Sequence, residues 1–162
     1  MMIKMIGSAL VLVGAAIVGG EIRASRRAKL ALREELYRFL LHIRLQISCF
    51  LRPPCEMCIG FESKELRETK FLDELASGEG LLGAFSASRL SELLSDEEGR
   101  VICELFSSLG GGYVEDEIKI LDAYTEKFLE CLEAERRKYS RDVRLVRTLS
   151  ASGALGVIIL FL

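Results

Sequence analysis

Three cysteines fall within ten residues, Cys49, Cys55 and Cys58, the last two as the C-x-x-C of "PPCEMC". Thiols at that spacing can converge on one point, as a zinc site or a dithiol redox pair requires. Zinc ordinarily takes four ligands. The chain has no second C-x-x-C, and its one histidine, His42, would have to complete the set from two turns upstream of Cys49. Thioredoxin-type chemistry needs a βαβ setting, and no strand pattern surrounds these residues. If Pro53 and Pro54 open a helix at Cys55, Cys58 lies one turn on and reads more simply as a small buried hydrophobe. Cys103 in "VICELF" and Cys131 in "KFLECLEAE" fall among apolar helix positions, which assigns them to the core. His42, in the middle of a helical stretch, reads as a packed or surface imidazole. "SLGGGYV" lacks both the following Lys-Ser/Thr and the preceding strand of a phosphate cradle, and so reads as a loop between helices. No catalytic, cofactor or metal site is assigned, and the chain is not expected to be an enzyme.

The elements around these residues are helical, since no stretch alternates with period two and β-branched residues are sparse outside the terminal apolar blocks. The first helix contains "LALREELYRFLLHIRLQISCFL", where Leu32, Leu36, Phe39, Leu40, Ile43, Ile47, Phe50 and Leu51 recur at intervals of three and four. Pro53 and Pro54 stop it and can open a second helix, "CEMCIGFESKELRETKFLDELA", which fades at Ser77 to Gly80. Weaker turns cover Leu81 to Phe85 and Leu90 to Leu94. Ser95 and Glu98 fit a capping box, and Gly110 closes the helix they open. The last helix starts near Val114, carries Ile118, Leu121, Tyr124, Phe128, Leu132 and Tyr139, and continues toward the C-terminal apolar block. The predicted fold is all-α: a small antiparallel bundle of four helical stretches flanked by N- and C-terminal transmembrane helices.

The flanking helices follow from where the apolar residues lie. Half of the 162 residues are apolar and the mean hydropathy is +0.27, high for a soluble domain. The surplus is concentrated in Met5 to Gly20, "MIGSALVLVGAAIVGG", and Leu149 to Leu162, "LSASGALGVIILFL". The second block reaches only about 21 Å as a helix against about 30 Å of hydrocarbon. Counted back to Val143 it gains the missing length, with Arg144 and Arg147 snorkelling to the interface. Lys4 before a short apolar core would also suit a cleaved signal peptide. The basic residues that follow at once suit a retained anchor better. Small residues at 15/19, 16/20 and 152/156 would let such helices pack closely. The expected organisation is an anchor over 1–22, a helical domain over 23–142 and a second membrane segment over 143–162.

Arg23, Arg26, Arg27, Lys29 and Arg33 follow the first block; Arg136, Arg137, Lys138, Arg141, Arg144 and Arg147 precede the second. Basic flanks stay on the cytoplasmic side, so the middle of the chain is expected in the cytoplasm. Glu21 to Arg52 holds eight basic and three acidic residues, Pro53 to Glu135 seven and twenty, and Arg136 to Thr148 six and one. The basic stem, with Arg23, Arg26, Arg27, Lys29, Arg141, Arg144 and Arg147 at the interface, suits anionic membrane lipids. The acidic remainder repels such a surface and nucleic acid alike. Its strongest concentration, "VEDEIKILDAYTEKFLECLEAE", marks Glu115, Asp116, Glu117, Glu126 and Glu130 as candidates for meeting a basic partner. Charge runs on helices also serve solubility alone.

The chain resembles the stage III sporulation protein AB family over essentially its whole length. The shared features are the anchor "MIKMIGSALVLVGAAIVGGEIRASRR", the register "LREELYRFLLHIRLQIS" leading to a proline turn and Glu56, the "LFSSLGGG" helix end, and the terminal "EAERRKYSRDVRLVRTLSASGALGVIILFL". It departs from the family pattern at Arg52 to Cys55, where a Thr-Pro-Leu-Pro-like turn is usual, and at Tyr113 and Glu117, where an acid and a glutamine are usual. Both departures bear on helix starts. The resemblance implies a non-enzymatic scaffold in the mother-cell membrane facing the forespore. It implies work with other stage III sporulation membrane proteins, a cytoplasmic secretion-type ATPase and a channel, and a cytosolic domain similar to type II secretion and type IV pilus platform proteins. The other function class is a small membrane-bound metal- or thiol-dependent protein centred on Cys49, Cys55 and Cys58.

Overall fold

The computed structural model describes the backbone of residues 2–50, 60–110 and 112–161, and the side chains of 20, 21, 23–49, 60–110 and 112–145. Among these residues every regular element is helical: α1 (Met2–Leu45), a π-helical turn (Gln46–Phe50), α2 (Lys64–Glu68), α3 (Phe71–Ala76), α4 (Leu81–Ala87), α5 (Leu90–Leu93), α6 (Asp96–Ser108) and α7 (Val114–Phe161). The all-α expectation holds. The chain divides into two compact units, Leu30–Ala134 and the pair Met1–Lys29 with Glu135–Leu162.

In the first unit the buried stripe of α1 is the one its periodicity predicts: Leu32, Leu36, Phe39, Leu40, Ile43 and Ile47. Phe50 and Leu51, predicted for the same stripe, lie outside the described side chains. Around that stripe Phe39 meets Phe61 and Phe71 edge-on at 5.2 and 5.3 Å. Phe71 stacks on Phe106 at 6.1 Å, and Phe106 meets the edge of Phe85 at 5.9 Å. Leu66, Leu72, Leu75, Leu81, Ala84, Leu90, Leu94, Ile102, Leu105, Leu121 and Phe128 complete the core. Edge-on and stacked ring pairs each add about 0.5–1.5 kcal/mol beyond the apolar area they bury.

The second predicted helix, Cys55 to Ala76, needs correction over its described part. Gly60 has φ +83°, so a left-handed residue stands where the helix would run. Ser63 then starts α2 anew, its hydroxyl accepting the Leu66 N–H at 3.3 Å. Thr69 ends it, donating to the Leu66 carbonyl at 2.7 Å while accepting the Phe71 N–H at 3.4 Å. Such local side-chain bonds compete with the helical ladder, and Lys70, at φ 66°, takes the left-handed turn that follows. Its apolar residues keep a helix-like period, but two caps divide the stretch into helices of five and six residues. The stop at Pro53 and Pro54 lies outside the described residues.

The capping box is present as expected. The Ser95 hydroxyl accepts the Glu98 N–H and the Glu98 side chain accepts the Ser95 N–H. Gly110, at φ +101°, takes the left-handed turn after α6. α7 runs without interruption from Val114 to Phe161, as the sequence predicts.

α1 includes the apolar block 5–20 and α7 the block 149–161. Gly20 apart, the side chains of both blocks lie outside the described residues, and the membrane-spanning assignments fall there with them. Among the described residues no helix is long and apolar enough to cross a membrane.

Candidate functional site

The most completely built polar group in the Leu30–Ala134 unit joins α1 to the start of α6. Arg33 donates through Nε to Glu98 Oε1 at 2.6 Å and through Nη2 to Oε2 at 2.8 Å. Glu98 also takes the Ser95 N–H at 2.8 Å and the Ser95 hydroxyl at 2.9 Å. Residue exposures of 8% for Arg33 and 1% for Glu98 make this a buried ion pair with the carboxylate bonded on both sides. Burial alone would push the Glu98 carboxyl up. The bond from Arg33, the Ser95 backbone N–H, the Arg33 charge and the Ser95 hydroxyl together hold it below the ordinary glutamate value.

Arg33, expected among the basic residues that follow the first apolar block, is buried against Glu98 and not displayed at the surface. It sits three residues before Leu36 and seven before Leu40, in register with the buried stripe. That spacing is the signal by which the sequence could have revealed its role.

The six α7 carboxylates from Glu115 to Glu130 separate into two groups. Three are engaged by other groups of this chain. Glu117, half-buried, accepts the Gly110 and Gly112 N–H groups at 2.9 and 3.3 Å. Asp116 pairs with Lys119 at 3.2 Å. Asp122 receives both Nε and Nη2 of Arg44, and that pairing holds its carboxyl below the usual aspartate range. Glu115, Glu126 and Glu130 are exposed. The buried face of the helix, Leu121, Phe128 and Leu132, lies on the other side, as its period requires.

Glu117 thus holds the glycine loop in place. The Tyr113 carbonyl accepts the Asp116 and Glu117 N–H groups at 3.0 Å each, so the start of α7 is satisfied despite the departure from the family pattern there. Glu117→Ala should cost about 1 kcal/mol through the lost charge-assisted bonds. A lower thermal midpoint together with faster amide exchange at Gly110 and Gly112 is the expected result.

The described thiols differ in exposure. Cys49 and Cys103 are exposed and Cys131 is half-buried, which corrects the core assignment of Cys103. α6 buries Ile102, Leu105 and Phe106, and Cys103 points away from that face. Burial, with the charges of Glu97, Glu98 and Glu130, pushes the Cys131 thiol up and keeps it protonated. His42 packs its ring against Phe61 at 5.3 Å and lies 3.3 Å from the Gln46 amide nitrogen. Cys55 and Cys58 lie outside the described residues, among which no cluster of His, Cys, Asp and Glu could hold a metal ion.

In the other unit, Arg23, Arg26, Arg27, Lys29, Arg141 and Arg144 are exposed, and Arg26 forms an ion pair with Asp142. Arg147 lies outside the described side chains.

Among the described residues these features define an all-helical protein in which a buried ion pair ties α1 to α6 and most of the charge is displayed on helix surfaces. The model of the family described as stage III sporulation protein AB matches residues 4–162, and the chain belongs to that family. Its role accordingly lies in stage III of sporulation. No curated protein and no solved structure matches the chain.

Proposed function

We propose that this protein is a non-enzymatic scaffold in the mother-cell membrane facing the forespore. In this reading the terminal apolar blocks anchor the chain, its basic stem lies against anionic lipids, and its central helices stand in the cytoplasm. The acidic face of α7 meets a basic surface of the secretion-type ATPase, alongside other stage III membrane proteins and the channel that this ATPase serves. The observation that carries the reading is the division among the α7 carboxylates. Asp116, Glu117 and Asp122 are engaged within the chain, whereas Glu115, Glu126 and Glu130 face outward over some four helical turns. A field of one sign on such a face speeds encounter with an oppositely charged partner by about 10 to 10³-fold at low salt.

Reversal of Glu115, Glu126 and Glu130 to Lys tests this, because none of the three sits in the core or in a cap. Association of the full-length variant with the ATPase should fall at least tenfold in low salt and little in high salt, with unchanged helical circular dichroism. Equal binding of variant and wild type at both salts would reduce the acidic face to a solubility feature.

A further inference from the structure

We infer that Leu41 and Leu45 of α1, beside Glu126 and Glu130 of α7, form the seat for one amphipathic helix of a partner, leucine-type side chains on the two leucines and Lys or Arg along α7. This rests on the acidic-face reading above and adds what kind of segment the face receives.

Leu41 is 42% and Leu45 51% exposed, while Leu36, Phe39, Leu40 and Ile43 on the same helix are fully buried. The core of α1 is complete without them. Four residues apart, they stack into one apolar strip about 6 Å long on the helix surface. Arg44 lies between them in sequence and grips Asp122 through two nitrogens, which sets this part of α1 alongside α7. Glu126 follows Asp122 by one turn and Glu130 follows by two, so the carboxylates continue along α7 from the point where the two helices meet.

Charge selects the occupant. The cations on this side of α1 are matched by the chain itself, Arg38 with Glu35 at 2.6 Å and Arg44 with Asp122. Lys127, between the two glutamates in sequence, turns its ammonium over the Tyr124 ring at 4.7 Å, so Glu126 and Glu130 set the field beside the leucines. An anionic lipid surface or a nucleic acid would be repelled there, and a second copy would bring the same acids face to face. A basic helix with an apolar stripe satisfies both halves of the surface, in the manner of helix-in-groove recognition.

The probe is a fluorescein-labelled synthetic helix of Leu, Lys and Ala, about 15 residues long, with leucines paired at i and i+4 and lysines on one flank. Its binding is read by anisotropy on the full-length protein in phosphatidylcholine nanodiscs, relative to empty ones. Leu41→Ala/Leu45→Ala removes the strip and keeps helix propensity. It should weaken binding about tenfold in both low and high salt, since apolar contact is not screened. Glu126→Lys/Glu130→Lys should weaken it more in low salt and lose most of that effect in high salt.

Wild-type affinity in the leucine variant alone would overturn the seat and leave the acidic face standing. Wild-type affinity in both variants would overturn the seat and remove the support for the acidic face as well. A peptide of the same composition with the leucines scattered should bind like the leucine variant, and equal binding of the two peptides to wild type would also count against the seat.

Discussion

Arg33→Met should lower the stability of the protein by about 3–5 kcal/mol, because it leaves the Glu98 carboxylate buried with its strongest partner gone. Glu98→Gln retains an acceptor for the Ser95 N–H, as a capping box permits at that position, but removes the negative charge that Arg33 faces, and should cost about 1–3 kcal/mol. The double variant Arg33→Met/Glu98→Gln removes both charges and should recover most of the loss. Full-length protein in detergent micelles, followed by helical circular dichroism against urea, gives the three values and the coupling between the two positions. Additive single and double losses would mean that the two side chains do not act as a pair.

The same pair predicts an acid limb. Glu98 titrates lower in the folded state than in the unfolded chain, so its contribution is complete above the ordinary glutamate value of about 4.3. It fades as the pH falls below that value and through the native one. In Glu98→Gln this part of the pH dependence should be missing.

The second large effect belongs to Phe39, fully buried and ringed by Phe61 and Phe71. Phe39→Ala should cost about 3–5 kcal/mol, combining lost transfer free energy with the cavity left among rings that cannot all close on it. Phe39→Leu should cost clearly less. Leu45→Ala, at an exposed position of the same helix, should change stability by no more than about 0.5 kcal/mol. A Phe39→Ala loss as small as that of Leu45→Ala would mean that α1 does not organise this core.

What the sequence revealed and what it hid follow from how far each signal reaches along the chain. The α1 stripe from Leu32 to Ile47, the Ser95–Glu98 box and the start of α7 at Val114 are local patterns, and all three are present. The break at Lys70 was harder to see, because the apolar residues of Leu66 to Leu75 keep a helix-like period while the stop is made by a threonine hydroxyl. The Arg33–Glu98 and Arg44–Asp122 pairs join residues 65 and 78 positions apart; the register of Arg33 marks it as core-facing, but nothing local names either partner. The predicted acidic face was legible as composition. Which of its members are spoken for within the chain was not, since that depends on Arg44 and on the backbone of the glycine loop.

The short helices between Gly60 and Leu94 have a consequence for the order in which the molecule assembles. Segments of five, six, seven and four residues lie far below the length at which a helix persists by itself in water. They hold their shape only while Phe71, Leu75, Leu81, Phe85 and Leu90 stay in the shared core, where Phe71 meets Phe39 of α1 and Phe106 of α6 and Phe85 meets Phe106. The docking partners must therefore exist first, and this stretch is the last to crystallise out of the collapsed chain and the first to be surrendered when the protein breathes.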